Sequence, residues 1–241
     1  MAATVLDELT PLPAGGRRMA QAITAIRTAI DEGRMKPGVL YSAYQVSEAL
    51  GISRTPVRDA LLRLEEIGLI RFENRQGFRI RVPEPREIAE IFAVRLALEC
   101  PASGRAARLA DDHLDHTLRM LREQMTDAAR RSDERTFARY DLELHDALLA
   151  ASGNGRARQI VNGLRETTRL LGVSTVADGT RSLIDITAEH DPIIEAVTQR
   201  AARAAEKAMR AHVTNTGRLL LTQACDGDPI AARKLWRSVT T

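Results

Sequence analysis

Gly51-Ile52-Ser53-Arg54-Thr55-Pro56-Val57-Arg58-Asp59-Ala60-Leu61 decides how the first third of this chain folds. Gly51 breaks whatever precedes it. Ser53 is a good helix cap, and Pro56 is tolerated in a first turn, where no intrahelical N–H donor is needed. The stretch predicts a helix from Arg54 to about Ile67. Val57, Ala60, Leu61 and Leu64 share one face and predict its buried side. Arg54 and Arg58 stand four apart and share another. The start of such a helix presents free N–H groups and a positive dipole, which suits a phosphate.

Working outward, Ser42 can cap a helix that runs to about Leu50. An earlier helix spans about Arg17 to Gly33, with Ile23, Ile26 and Ile30 on one side and Gly33 as its stop. Lys36-Pro37-Gly38 between them is a turn. After the quoted stretch, Gly68 to Pro83 changes character. Leu69–Phe72 and Phe78–Val82 read as two short strands around Glu73-Asn74-Arg75-Gln76-Gly77, which has turn chemistry. Helix, helix, short glycine turn, helix and hairpin make a winged helix-turn-helix. A helix anchored by its apolar face can enter a major groove and offer arginine to guanine. Arg71, Arg75, Arg79 and Arg81 line the hairpin with positive charge, and Gly77 allows its tip a close backbone approach. An isolated Arg54/Arg58 pair would be read as a solvated face. The surrounding pattern favours DNA.

Charge supports this division. The 241 residues hold 35 Lys and Arg against 32 Asp and Glu, a net of +3. Residues 1–83 hold 12 basic and 9 acidic residues, and the remainder is balanced, so the whole excess sits in the first third. Two cysteines, Cys100 and Cys225, exclude a disulfide framework or a cysteine-rich zinc module. Aromatics at 3% argue against a base-stacking platform for single strands. The start of the chain does not read as a signal peptide, and no stretch approaches the length of a membrane span. A cytoplasmic protein is expected. Pro83 and Pro85 form a stiff joint. The expected organisation is a disordered tail over residues 1–16, a winged helix-turn-helix over 17–83, a linker over 84–86, and an all-helical domain over 87–241. The fold class is mainly α.

In the second part, helices are expected at about 86–109, 113–131, 133–151, 155–171, 181–199 and 201–223, with a short one at 228–237. Val173 to Gly179 reads as a loop. Pro101 should start, kink or end a helix near Cys100. Pro192 leaves open whether His190 precedes a helix or rides within it. His113 and His116 lie in a polar helix start and read as exposed. Asp141 and His145, four apart, fall in register with Phe137, Leu148 and Ser152 on an inward stripe. His190 follows Leu183 and Ile186 and precedes Ile193 and Val197. His212 continues Ala205, Ala208 and Met209. A buried unpaired carboxylate is costly, and a divalent cation would neutralise it while occupying the imidazole nitrogens. One Asp oxygen with three His nitrogens suits zinc or nickel. A metal-free polar core, or a metal that activates water in an enzyme, are the alternatives.

Residues from about Ala22 to Val82 resemble the GntR-type winged-helix transcription regulators. The resemblance is carried by Gly33…Pro37-Gly38, by Leu50 to Leu61, by Arg63-Leu64, by Gly68-Leu69-Ile70 and by Gly77. It implies that Ser53, Arg54, Thr55 and Arg58 contact operator DNA, with Gln76-Gly77 at the wing tip near the minor groove; the positive charge of the hairpin adds Arg75 to the expected DNA contacts. Tyr44 stands where some relatives place a basic residue that touches DNA. The rest is similar to the FCD effector-binding domain of the FadR subgroup. Arg95-Leu-Ala-Leu-Glu99, Asp141-xxx-His145 with Asn154, His190 and His212 carry that likeness. It implies a divalent metal on Asp141, His145, His190 and His212, with a small carboxylate effector against it. Arg95 is the first candidate cation for that effector, competing with an i,i+4 salt bridge to Glu99, and Arg165 is the second. The expected protein is a homodimeric regulator, a repressor, on a palindromic double-stranded operator, with no membrane partner.

Overall fold

The computed structural model describes Leu9 and residues 17–74, 76–170, 176 and 181–240. The expected tail lies outside the described residues except for Leu9, which is buried in the first hydrophobic core. Arg75 lies outside them too, as does the expected 173–179 loop apart from Val176. The chain divides into two compact units, chiefly between Pro83 and Glu84.

The first unit holds α1 (Arg18–Asp31), β1 (Leu40–Tyr41), α2 (Ala43–Leu50), α3 (Arg54–Glu66), β2 (Ile70–Glu73) and β3 (Gly77–Ile80). Ser42 caps α2 by accepting the Tyr44 amide at 3.2 Å, and Gly51 ends it in the left-handed conformation, φ 66°. The three strands are antiparallel in the order β1-β3-β2. β1 has no counterpart in the sequence reading, because two residues are too short to show a period. Ile26, Ile30, Val46, Leu50, Val57, Leu61, Leu64, Leu69 and Phe78 close the core. Tyr41 belongs to it: its ring lies 5.8 Å from that of Phe78, and its hydroxyl accepts the Lys36 amide at 2.6 Å. Gly77 is required by the fold itself. Its φ is 140°, and a Cβ there would run into the Tyr41 carbonyl of β1.

The second unit is helical: α4 (Pro85–Leu109), α5 (Asp112–Arg130), α6 (Glu134–Ala151), α7 (Gly155–Leu170, of which the part up to Glu166 belongs to this unit), α8 (Leu183–Thr198), α9 (Ala202–Ala224) and α10 (Pro229–Thr240). Both interior prolines are carried within helices, Pro101 in α4 and Pro192 in α8. α4 is therefore one helix, and His190 rides within α8. Pro101 sits on the exposed face of α4, while its neighbours Cys100 and Ala102 are buried. Tertiary packing holds these turns against the lost N–H bond, which local propensity alone would not do. α4 lies close along α9. At Gly217 of α9 an added Cβ would meet the rings of Phe92 and Trp236 at 2.6 Å.

Candidate metal centre and nucleic-acid interface

The helical unit brings Asp141 and His145 on α6, His190 on α8 and His212 on α9 to one place. One donor atom from each lies within 4.8 Å of all the others. Ligands about 2.0–2.2 Å from a single zinc-like ion lie at most about 4.4 Å apart, so the widest of these separations must shorten by a few tenths of an ångström around one. The three histidines are buried and Asp141 is half-buried. The imidazoles are oriented from behind. His145 Nδ1 is 2.5 Å from Glu99 Oε2, His190 Nδ1 is 2.8 Å from the Ile186 carbonyl, and His212 Nδ1 is 3.0 Å from Glu189 Oε2. Each Nδ1 faces an acceptor and so carries the proton, which leaves the lone pair on Nε2. His145 Nε2 and His190 Nε2 stand 3.3 Å apart, and His190 Nε2 is 3.1 Å from Asp141 Oδ1. Lone pairs and a carboxylate facing one another repel. A cation among them reverses that sign, so the donor set fits a divalent metal.

The carboxylates behind the histidines are themselves paired. Arg95 Nε donates to Glu99 Oε1 at 2.6 Å within α4, so the i,i+4 salt bridge is formed, and its guanidinium lies over Phe92. Arg181 donates to both oxygens of Glu189, at 2.7 and 2.9 Å. Arg165, on α7, donates from Nη2 to Asp141 Oδ2 at 2.5 Å, and its Nη1 is 3.8 Å from Glu99. Its Nε is buried without a hydrogen-bond partner among the described residues. From the sequence, Glu99 is expected only as a partner of Arg95, and neither Glu189 nor Arg181 is expected at the site. A carboxylate in the buried stripe Phe92-Leu96-Glu99-Ser103 was a usable signal for Glu99. Nothing in the α8 period points Glu189 at His212, which is on another helix.

The electrostatics follow from this wiring. Burial would raise the carboxyls of Glu99 and Asp141, but Arg95 and His145 around the first, and Arg165 beside the second, hold both well below the usual range. Burial, reinforced by Arg165, pushes His145 down from 6.5 to about 3, and burial with His190 pushes His212 down to about 4. Both are neutral at neutral pH, as metal ligands must be. An unfolded chain takes up protons near 6.5 that the folded one refuses. Stability from these groups is therefore present above that value and is lost as pH falls toward their folded values. In metal-stripped protein the urea midpoint should drop between about pH 7 and about pH 5. A flat profile over that range would contradict the assignment.

In the first unit, Ser53, Arg54, Thr55, Arg58 and Gln76 are all exposed. Ser53 occupies the N-cap position, but its side chain makes no cap hydrogen bond, contrary to expectation. The hydroxyl and the amides of the first turn of α3 are left for another acceptor. Arg63 on α3 is tied to Glu66 at 2.5 Å. Arg54 and Arg58 have no carboxylate partner among the described residues. In the hairpin, Arg79 is engaged by the Gly38 carbonyl and lies 3.6 Å from Glu73, and Arg81 donates to the Gly68 carbonyl at 3.3 Å. Those two serve the domain itself, because the β3 pairing sets their side chains beside these acceptors.

A profile of the bacterial regulatory proteins of the gntR family matches residues 18–80, and a profile of the FCD domain matches residues 90–215. The chain belongs to the GntR family. This GntR regulator is 28% identical over 211 residues to YdhC of Bacillus subtilis, an uncharacterized HTH-type transcriptional regulator, covering 86% of this chain and 90% of that one. It is 26% identical over 180 residues to the HTH-type transcriptional repressor RspR of Escherichia coli K12, covering 73% and 77%. Among solved structures, E. coli McbR/YncC shares the fold with a TM-score of 0.72 at 19% identity, covering 87% of this chain and 99% of that one. The GntR regulator is mainly α, a winged helix-turn-helix followed by a helical FCD domain. No described helix is long and apolar enough to cross a membrane.

Proposed function

We propose that the protein is a cytoplasmic, homodimeric repressor whose reading head, residues 17–83, binds a palindromic double-stranded operator. The helical domain, residues 87–241, dimerises and senses a small carboxylate beside a divalent metal, zinc or nickel. The 84–86 joint connects the two. The observation that carries the sensing role is the convergence of the bare Nε2 face of His145 on His190 Nε2 and Asp141, with every Nδ1 tied from behind. Nitrogen-rich sets with one carboxylate suit zinc and nickel. The charge count supports an anionic effector. Glu99, Asp141 and Glu189 are balanced by Arg95, Arg165 and Arg181, so a divalent ion leaves a surplus of two positive charges. Arg165 is the side chain proposed to meet the effector, with Arg95 behind it, and the partnerless Nε of Arg165 supports that role. The effector acts only through different affinity for the two arrangements of the dimer. The repressor assignment is supported by relatives named repressors, such as RspR. The alternative, a metal-dependent hydrolase, needs a free base at the metal. Glu99 and Glu189 are instead bonded to the Nδ1 side of the histidines.

Elemental analysis and native mass spectrometry of the purified full chain test the sensing role. One equivalent of metal with a small anion is the expected result, and absence of both overturns it. In the reading head, Ser53, Arg54, Thr55 and Arg58 on α3, with Arg75, Gln76 and Gly77 of the wing, are proposed to contact DNA. Arg54→Ala and Arg58→Ala should each weaken binding to a duplex selected by the wild-type protein from a random pool. A contact to a base is worth about 1–3 kcal/mol of discrimination. Unchanged affinity in both variants would remove α3 as the reading helix.

A further inference from the structure

Tyr44 is placed in a way the core does not explain. It sits in the first turn of α2, where its amide is fixed by Ser42 Oγ and its carbonyl accepts from the Ser47 hydroxyl at 2.7 Å. Tyr44 is 49% exposed, unlike the buried Tyr41 three residues earlier. The guanidinium carbon of Arg54, the first residue of α3, lies 4.6 Å from the centroid of that ring. Arg54 has no carboxylate partner among the described residues. Two exposed side chains at the starts of successive helices therefore lie one over the other, at the end of α3 where Ser53 makes no side-chain cap hydrogen bond.

We propose that Tyr44 is a positioning residue for DNA recognition, holding the guanidinium of Arg54 by its face so that its edge is presented ready for the duplex. The inference rests on the reading of Arg54 as a DNA contact. Stacking uses the face of a guanidinium and leaves its in-plane N–H donors free, the same donors that pair bidentately with a guanine edge or a phosphate. An arginine free in water loses rotamer freedom when an interface immobilises it, and a side chain already ordered loses less. The ring is also an attractive surface for a cation in its own right. An aliphatic residue at position 44 would supply neither effect. Tyr44 thus acts through Arg54, and its aromatic ring rather than its hydroxyl does the holding.

The test uses the full-length protein and duplexes selected by it from a random pool. Tyr44→Ala should weaken binding to the selected duplex roughly two- to fivefold, the scale of an exposed cation–π contact. It should also relax sequence preference at the same base pair that Arg54→Ala relaxes, and Tyr44→Phe should restore both affinity and preference. In the double variant, Tyr44→Ala should add nothing to the loss from Arg54→Ala. The proposal is overturned if Phe fails as badly as Ala, which would assign the role to the hydroxyl, or if the two losses add independently. It is also overturned if Tyr44→Ala binds and selects like the wild type while Arg54→Ala does not. Wild-type binding by Arg54→Ala itself would instead remove the contact on which the inference stands.

Discussion

Glu99→Ala is expected to lower the unfolding free energy of the helical unit by about 3–5 kcal/mol, the cost of breaking a buried ion pair from one side. Glu99 is 1% exposed and serves three positive or proton-donating partners: Arg95 at 2.6 Å, His145 Nδ1 at 2.5 Å, and Arg165 at 3.8 Å. Removing it leaves the Arg95 guanidinium, 4% exposed, with no anion at its Nε. It also frees the His145 ring to turn, which disorders one of the candidate metal donors at the same time. The comparison variant is Arg95→Met with Glu99→Gln, which removes both charges and keeps volume. That pair should recover much of the loss, since a buried ion pair replaced as a unit is often near neutral. Urea unfolding followed by circular dichroism reads both. A loss under about 1 kcal/mol in Glu99→Ala would mean that Arg95 and His145 find other acceptors, and the wiring described above would be wrong.

Zinc or nickel added to stripped protein is expected to raise the melting temperature of the helical unit by about 5–10 °C at a hundredfold excess over the dissociation constant. That figure follows from about 2.7 kcal/mol of linkage and about 2–4 °C per kcal/mol for a unit of this size. Asp141→Ala and His212→Ala should each abolish the rise. The informative quantity is the metal-induced shift rather than the melting temperature itself. Asp141→Ala also deprives Arg165 of its 2.5 Å partner, and so it destabilises the protein before any metal is added. A rise of the same size in both variants, or no rise with either metal in the wild type, would return the four residues to a metal-free polar core.

Much of this architecture was legible in the residues. The caps and glycine stops around α2 and α3 are local features, and the elements fall within a residue or two of where local chemistry puts them. The hairpin is legible for the same reason. The four converging polar groups were also legible, because each interrupts an apolar stripe of fixed period and all four must face the same interior. The failures are equally physical. Ser53 has the identity of a cap without the bond, since cap statistics average over helices whose first amides have no other use. Arg79 and Arg81 were counted with the wing charges by composition, whereas β3 pairing sets them beside the Gly38 and Gly68 carbonyls. Pro101 and Pro192 left the continuity of their helices open, because propensity sees one missing hydrogen bond and not the packing that outweighs it.

By itself, then, the sequence determined what is periodic or local: a basic winged helix-turn-helix ahead of an uncharged-on-balance helical domain, with Asp141, His145, His190 and His212 turned inward. Only the tertiary structure decided what stands behind and beside those groups. Glu99 reaches His145 across 46 residues, Glu189 reaches His212 across 23, and Arg165 reaches Asp141 across 24. Tyr44 meets Arg54 across the glycine turn between two helices. A helical period fixes the face on which a side chain lies. The partner it finds there depends on the axial offset and rotation of a second helix, and packing of the whole unit sets those.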